Sequence, residues 1–157
     1  MLSCTFAGHR NLFLPDADRK IESALDGLIA RDETFVFYTG GMGEFDGECS
    51  SAVRAAKHRH RSKDIRLILV LPYMSNRLNT ERNYYESSFD DVIIPIELAG
   101  VHPKAAIQKR NRWIVDRSDY LIACVYRDFG GAYETVQYAR RRGVPVINLA
   151  QQEPLQL

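Results

Sequence analysis

Closely spaced cysteines are absent from this chain of 157 residues. The three that it has, Cys4, Cys49 and Cys124, lie far apart and form no CxxC pair. Disulfide frameworks and zinc sites depend on clustered cysteines. We therefore predict no disulfide and no metal site, and expect three buried free thiols.

Long hydrophobic runs are also missing. The apolar runs are strand-sized, such as residues 67–71, and fall far short of the roughly 20 apolar residues that cross a bilayer. The first residues after Met1 show no basic flank followed by a long apolar stretch, which an export signal would need. We therefore expect a cytoplasmic protein with no membrane partner.

No charge of one sign dominates. The 21 Lys and Arg residues face 20 Asp and Glu residues, and the formal net charge is +1. Nucleic acid is therefore an unfavoured partner, and any anion site must be local. The length and the 45% hydrophobic content predict one domain over residues 1–150, followed by a short C-terminal tail at 151–157.

Short apolar runs alternate with amphipathic stretches along the chain. This order predicts an α/β fold, a Rossmann-like three-layer sandwich whose mostly parallel central sheet is flanked by helices. The predicted strands cover residues 3–7, 34–39, 65–71, 91–95, 120–126 and 144–149. The first of five predicted helices opens at Asp16, whose carboxylate is expected to cap it, and the others cover residues 44–58, 80–89, 103–117 and 131–142.

The turn after the first predicted strand contains Gly8, His9 and Arg10. Ligands of open parallel sheets bind at the carboxyl ends of the strands, where turns and helix N-termini expose N–H groups. Glycine lets the backbone approach a ligand, and the two polar or cationic side chains can meet an anion. The alternative is a tight turn with a solvated basic pair.

The turn after the second predicted strand contains Thr39 followed by Gly40, Gly41 and Gly43. Such a turn allows positive φ angles and a nest of N–H groups that cradles phosphate. It matches neither a Walker motif nor a GxGxxG fingerprint, and we predict no cofactor. Asp46 either complements the helix dipole or accepts hydrogen bonds from a ribose or base; we favour the ligand role, because the glycines beside it are otherwise unexplained.

The predicted helix 103–117 has one apolar arc, formed by Ile107, Trp113, Ile114 and Val115. At about 100° per residue, Arg110 and Asn111 fall inside this arc, whereas Arg112 and Asp116 project outward. A buried guanidinium needs a partner, because an unpaired one is costly. That partner is an anionic ligand, backbone carbonyls, or a carboxylate such as Asp46 or Asp119.

Gly130, Gly131 and Ala132 form a second turn of the phosphate-cradling kind, at the start of the last predicted helix. A simple strand-to-helix turn is the alternative, but two glycine turns at one sheet edge favour a ligand. The basic runs at residues 57–63 and 140–142 lie at predicted helix C-termini. The helix dipole favours cations there, so we interpret both runs as solvated helix ends.

In order along the chain, these segments resemble the SLOG superfamily, Rossmann-like proteins related to the DNA-processing protein DprA and the LOG cytokinin-activating enzymes, and within it the YpsA-like branch. The resemblance is carried by TFAGHR at residues 5–10, YTGGMG at 38–43, FD at 45–46, residues 69–73, RNRW at 110–113, VD at 115–116, SD at 118–119, GGA at 130–132 and GVPVIN at 143–148. It implies a pocket between the three turns that holds a nucleotide-derived small molecule. By analogy it also implies a homodimer.

The chain departs from the LOG pattern at one position. The LOG motif Gly-Gly-x-Gly-Thr-x-x-Glu ends in a glutamate that serves in cleaving an N-glycosidic bond. Aligning its Gly-Thr step with Gly131 and Ala132 puts Thr135 in that place, and Glu134 is turned about 100° away on the helix. We therefore predict a domain that binds or senses a nucleotide or nucleotide derivative.

Two alternatives remain open. In a phosphoribohydrolase-like enzyme, Arg110 would hold the 5′-phosphate while Asp46 or Glu134 assists departure of the base. In a single-stranded nucleic-acid-binding protein, the basic runs would act together with Tyr84 and Tyr85 as stacking surfaces. The balanced charge makes the second alternative the less favoured.

Overall fold

A computed structural model of the protein, which describes residues 1–151, has six strands in one sheet. The strands are β1 (Leu2–Gly8), β2 (Thr34–Thr39), β3 (Asp64–Val70), β4 (Asp91–Ile93), β5 (Tyr120–Cys124) and β6 (Val146–Asn148). Their order is β4-β3-β2-β1-β5-β6, and every neighbouring pair is parallel. The predicted α/β fold is confirmed. From residue 152 onward, the predicted tail lies outside the described residues.

In the described part of the chain, six helices accompany the sheet. They are α1 (Ala17–Ile29), α2 (Glu44–Arg59), α3 (Arg77–Thr80), α4 (Arg82–Ser88), α5 (Pro103–Asp116) and α6 (Gly131–Arg141). Short 3-10 turns follow at Ile96–Leu98 and Leu149–Gln151. Within residues 1–151 no helix combines the length and the apolar character that crossing a membrane requires.

The sheet is covered on both faces. Along β1, Cys4 and Phe6 pack into a core cluster with residues of α1 and α2, whereas Ala7 packs with residues of α5 and α6. Alternate side chains of a strand point to opposite faces, so the two clusters lie on either side of the sheet. This double burial explains why the strands read as continuous apolar runs. All three cysteines are buried, as expected.

The strands at the two edges are shorter than predicted. β4 ends at Ile93 and β6 contains only Val146–Asn148, and each pairs with a single neighbour. β5 ends at Cys124 because side chains take over the next N–H groups: Val125 donates to Asn148 Oδ1 (3.1 Å), and Tyr126 donates to His9 Nε2 (3.2 Å). The chain therefore leaves the sheet earlier than the apolar run implies.

Two helix predictions are wrong in detail. Asp16 precedes α1 in a left-handed conformation (φ 55°, ψ 38°), and its side chain makes no capping hydrogen bond. The predicted helix 80–89 is divided at Glu81 (φ −118°, ψ 34°) into α3 and α4. Neither short helix has a buried residue, so no packed apolar stripe holds the two in one straight helix. Pro103 begins α5 and Gly143 follows the end of α6, both as predicted.

The end of β1 is packed against the start of α2. A Cβ placed on Gly8 would lie 2.5 Å from the side-chain atoms of Phe45, which is 1% exposed. This contact requires glycine at position 8 whether or not a ligand is bound, and it sets the distance between the β1 turn and α2.

We expect Gly8→Ala to lower the free energy of unfolding by about 1–3 kcal/mol, because the added methyl overpacks against Phe45. Gly27 supplies the matched control: it is helical and exposed, and a Cβ there meets nothing within 4 Å. Gly27→Ala should raise stability by about 0.5–1 kcal/mol. Urea denaturation measures both; equal stability of the Gly8→Ala variant and the wild type would contradict the packing argument.

Candidate ligand site at the carboxyl edge of the sheet

The three predicted turns come together around one cavity of about 250 Å³ at the carboxyl ends of β1 and β2. We call it the first cavity. The predicted site residues that line it are Gly8, His9, Arg10, Gly40, Gly43, Asp46, Arg110, Asn111, Gly131 and Ala132. Other residues line the cavity that were not predicted as site residues, among them Thr5, Met42, Ile107 and Ile114.

Three predicted site residues do not line the first cavity. Thr39 is fully buried beneath the loop, and its Oγ1 accepts a hydrogen bond from the N–H of Gly41 (3.1 Å). Gly41 lines a different, neighbouring cavity. Gly130 caps α6 from outside the first cavity. Thr39 and Gly130 thus shape the turns rather than the cavity wall.

Gly43 and Gly130 occupy equivalent positions at the starts of α2 and α6. Their φ and ψ angles are 90° and 168° for Gly43, and 96° and 174° for Gly130. This region is essentially restricted to glycine. The shared geometry turns both chains sharply into a helix at the carboxyl edge of the sheet.

The two helix N-termini nevertheless differ in what they offer to an anion. At α6, the N–H groups of Gly131 and Ala132 find no acceptor among the described residues, and both residues line the first cavity. At α2, the N–H of Glu44 already donates to Arg10 O (2.9 Å), and Glu44 and Asp46 place two acids in the first turn. The first turn of α6 contains one acid, the exposed Glu134, which does not line the cavity, so phosphate is more favoured at α6 than at α2.

Arg110 lines the same cavity and is 2% exposed. Its Nη1 donates to Val70 O (2.9 Å) and Gly40 O (3.2 Å), and its Nε donates to Asn111 Oδ1 (2.8 Å). The Nη2 group donates to the sulfur of Met42 at 3.6 Å, a weak acceptor. Of the partners considered from the sequence, backbone carbonyls are the ones observed.

Neither predicted carboxylate pairs with Arg110. Within the described residues, no carboxylate oxygen lies within 4.0 Å of the Arg110 guanidinium, which is the distance limit for an ion pair. Asp119 instead accepts from the backbone N–H of Ser3 (2.9 Å). Burial lowers the pKa of Arg110 and the charge of Asp46 opposes this shift, but an arginine stays protonated in proteins. The first cavity therefore contains a cation without an ion-pair partner.

Asp46 also lines the first cavity and is 9% exposed. Its Oδ2 accepts from the N–H of Met42 (3.2 Å). The other oxygen, Oδ1, has no hydrogen-bond donor among the described residues. None of the fully buried side-chain oxygen and nitrogen atoms of these residues lacks a partner, so Oδ1 is accessible from the cavity. Burial raises the pKa of Asp46 to about 7, against the opposing effects of the Met42 N–H and the Arg110 charge.

His9 does not contribute positive charge to the site. It is 8% exposed, and its Nε2 accepts from the N–H groups of Tyr126 and Arg127 at 3.2 Å each. Burial and the Arg127 charge lower the pKa of His9, so the ring is neutral and has its proton on Nδ1. His9 therefore positions the turn that leads into α6, while the neighbouring Arg10 is exposed at the cavity mouth.

Thr135 and Glu134, the two residues compared with the LOG glutamate from the sequence, differ in their placement. Thr135 is buried, lines the first cavity, and donates from Oγ1 to Gly131 O (2.9 Å). Glu134 is exposed and does not line the cavity, as the turn of one residue on a helix implies. Asp46 is the carboxylate that the lining does include.

A second cavity of about 510 Å³ opens on the other side of the residue 40–43 loop. This second cavity was not predicted from the sequence. Its aromatic lining consists of Tyr73, Tyr84, Tyr85 and Phe89, and α2 contributes Gly47, Ser50, Ser51 and Arg54. Gly40, Met42, Gly43 and Asp46 line both cavities.

The basic run at residues 57–63 is engaged within the protein. Lys57 pairs with Asp90 (2.8 Å), and Arg59 and His60 both contact Asp26 Oδ1 at 2.8 Å. The Nζ of Lys63 donates to the carbonyls of residues 29 and 32. The run lies at the end of α2, as predicted, but these four side chains pair within the protein and tie this helix end to α1 and Asp90, so the interpretation as a solvated helix end is wrong for them.

No protein-family model and no curated protein sequence matches this chain. Solved structures do: DNA processing protein A from Helicobacter pylori is 17% identical over 92% of the chain (TM-score 0.64). DprA from Streptococcus pneumoniae is 17% identical over 93% (TM-score 0.64), and a molybdenum cofactor binding protein from Rippkaea orientalis is 22% identical over 92% (TM-score 0.58). This chain shares their Rossmann-like fold. It spans 63% of the H. pylori protein, 49% of the S. pneumoniae protein and 74% of the cofactor-binding protein.

Asp46→Asn tests the environment of the buried acid. A pKa raised to about 7 means that the folded protein retains a proton that the unfolded chain, with an ordinary pKa of 3.8, releases earlier. The contribution of Asp46 to stability therefore falls as the pH rises from about 4 to 7. An asparagine keeps the acceptor for Met42 N–H, so the variant should match the wild type near pH 4 and melt several degrees higher at pH 8.

Thermal melts at both pH values measure this difference. The exposed acid Asp18 supplies the control: the difference in melting temperature between Asp18→Asn and the wild type should change less from pH 4 to pH 8 than the Asp46→Asn difference does. A difference between Asp46→Asn and the wild type that is the same at pH 4 and pH 8 would show that Asp46 titrates normally.

Proposed function

We propose that this chain is a domain of the SLOG type, in its YpsA-like branch, that binds or senses a nucleotide or nucleotide derivative. In this proposal residues 1–150 form the single domain that contains the site. The observation that carries it is the buried Arg110 guanidinium, which has no carboxylate partner among the described residues and lines the same cavity as the free N–H groups of α6.

The charges around Arg110 support an anionic ligand. Carbonyl oxygens satisfy much of the hydrogen-bonding capacity of the guanidinium, but they do not neutralise its charge. The N-terminus of α6 adds partial positive charge to the same cavity. An anionic ligand bound at Gly131 and Ala132 would compensate both, which is the requirement that a phosphate group meets.

A nucleotide fits better than inorganic phosphate alone. Asp46 faces the cavity with an open Oδ1, which accepts hydrogen bonds and would repel a phosphate. A sugar hydroxyl or a base N–H is the complementary group. The site therefore suits a ligand with a phosphate at one end and donors at the other.

Binding is favoured over hydrolysis of an N-glycosidic bond. The residue at the position of the LOG glutamate is Thr135, and its hydroxyl hydrogen bonds to Gly131 O. Of the two carboxylates considered from the sequence for assisting departure of the base, Glu134 lies outside the cavity lining. Product analysis by chromatography on every bound monophosphate is the direct check, and release of free base would make the protein an enzyme.

Nucleic acid is less favoured as the partner. DNA processing protein A from H. pylori has a single-stranded DNA binding mode, and Tyr84 of this chain is 52% exposed. The basic run at 57–63, however, is engaged in internal ion pairs and hydrogen bonds. Salt-sensitive binding to a labelled oligonucleotide would reverse this preference.

A pair of substitutions at Gly131 tests the phosphate site. Proline suits the first position of a helix, so Gly131→Pro removes one cavity N–H while α6 is retained. Gly131→Ala keeps the N–H and adds only a methyl, whose nearest neighbour would be Gln108 Oε1 at 3.9 Å. We expect AMP to bind the proline variant at least about tenfold more weakly than the alanine variant, as measured by titration calorimetry.

Thermal melts of both variants without ligand establish that α6 is intact. Equal affinity of the two folded variants for AMP would exclude Gly131 N–H as a phosphate ligand. Failure of AMP, ribose 5-phosphate and NAD to bind the wild-type protein at millimolar concentration would count against the proposed function as a whole.

A further inference from the structure

The second cavity has a composition that differs from that of the first. Four aromatic side chains line it, and two of them are accessible, Tyr73 at 39% and Tyr84 at 52% exposure. The face of Phe89 is partly covered by the guanidinium of Arg54, which lies 5.3 Å from the ring centroid. Accessible aromatic rings bind flat, π-bonded groups by stacking, and nucleobases of every kind offer such a face.

The residue 40–43 loop between the two cavities has little side-chain bulk. Gly40, Gly41 and Gly43 of the intervening loop have no side chains, and φ is +68° at Gly41 and +90° at Gly43. Met42 is the side chain that the loop contributes, and it is 43% exposed. A thioether chain adapts readily to a neighbour. A ligand can therefore extend from one cavity to the other across this loop.

Asp46 is shared by the two cavities. It lines both cavities, and its Oδ1 has no donor among the described residues. An acceptor at this place suits the hydroxyl groups of a sugar that joins a phosphate on one side to a ring on the other.

Gly47 adds to the open space of the second cavity. It lies in the first half of α2 without a positive φ, and a Cβ there would meet nothing within 4 Å, so neither its conformation nor packing requires glycine. A glycine in a helix costs up to about 1 kcal/mol relative to alanine. The space that its missing side chain leaves belongs to the second cavity.

The volume of the first cavity also favours a ligand that extends beyond it. Small-molecule sites commonly enclose about 300–1,000 Å³, and the first cavity measures about 250 Å³. The second, at about 510 Å³, adds the remaining room.

We propose that the two cavities form one bipartite site, in which the phosphate of a ligand binds at α6 in the first cavity and an aromatic ring of the same ligand stacks in the second. The sugar between them crosses the residue 40–43 loop beside Asp46. This inference rests on the proposed function and adds to it the place of the base. The ligand class is a nucleotide or dinucleotide in an extended conformation.

Selective filling of the second cavity tests the proposal. Gly47→Leu places a side chain in the cavity from a helical position with open space, so the fold should tolerate it. The probes are ribose 5-phosphate, which has no aromatic ring, AMP, and NAD, each titrated into the wild-type and variant proteins. We expect Gly47→Leu to weaken AMP and NAD binding at least about tenfold, and ribose 5-phosphate binding less than about twofold.

Gly27→Leu is the matched control, because Gly27 is also helical with open space around its Cβ but lies away from both cavities. It should leave all three affinities unchanged. Tyr84→Ala is the second variant: it removes an accessible ring without adding bulk, and it should weaken AMP and NAD binding while ribose 5-phosphate binds as before.

The outcomes separate the two proposals. If Gly47→Leu and Tyr84→Ala bind AMP and NAD as tightly as the wild type does, the base lies elsewhere and the bipartite site is wrong, while the proposed function stands. Equal weakening of all three probes would also overturn the bipartite site. If the wild type binds none of them, the proposed function itself fails.

Discussion

The guanidinium of Arg110 joins three parts of the carboxyl edge of the sheet. From α5 it reaches the last carbonyl of β3, at Val70, and the carbonyl of Gly40 in the β2 turn. The contact is so close that a Cβ at Gly40 would lie 2.9 Å from Arg110 Cζ. Because the residue 40–43 loop separates the two cavities, the shape of both depends on this one buried group. Gly40 is thus explained by the fold itself, without a ligand.

The two helix starts at the first cavity also differ in charge. The free N–H groups of Gly131 and Ala132 line the cavity at α6, whereas α2 has Glu44 and Asp46 in its first turn. Arg110 lies against the residue 40–43 loop, and its charge and that of Asp46 act on each other's pKa. Two helix starts with nearly identical glycine caps therefore differ in how well they suit an anion. In the function that we propose, this difference orients an extended ligand, with its phosphate toward α6 and its hydrogen-bond donors toward Asp46.

The fold and part of the site follow from local patterns. Apolar runs predict the strands because both faces of the sheet are covered, and Pro103 and Gly143 mark helix boundaries through their own backbone preferences. Helical periodicity alone placed Arg110 on the inward face of α5. The predictions failed where tertiary contacts override local preference. Asp16 does not cap α1, and β5 ends where His9 and Asn148 capture its N–H groups.

The sequence by itself therefore determined the α/β architecture, the turns that meet at the carboxyl edge, and the burial of Arg110. The tertiary structure alone decided which atoms surround that guanidinium, because its carbonyl partners lie 40 and 70 residues away along the chain. It also decided which residues of α2 and α6 line the first cavity, and that a second cavity with an aromatic lining adjoins it. Periodicity reports only the neighbours of a residue within its own helix or strand, whereas strand order brings distant segments into contact.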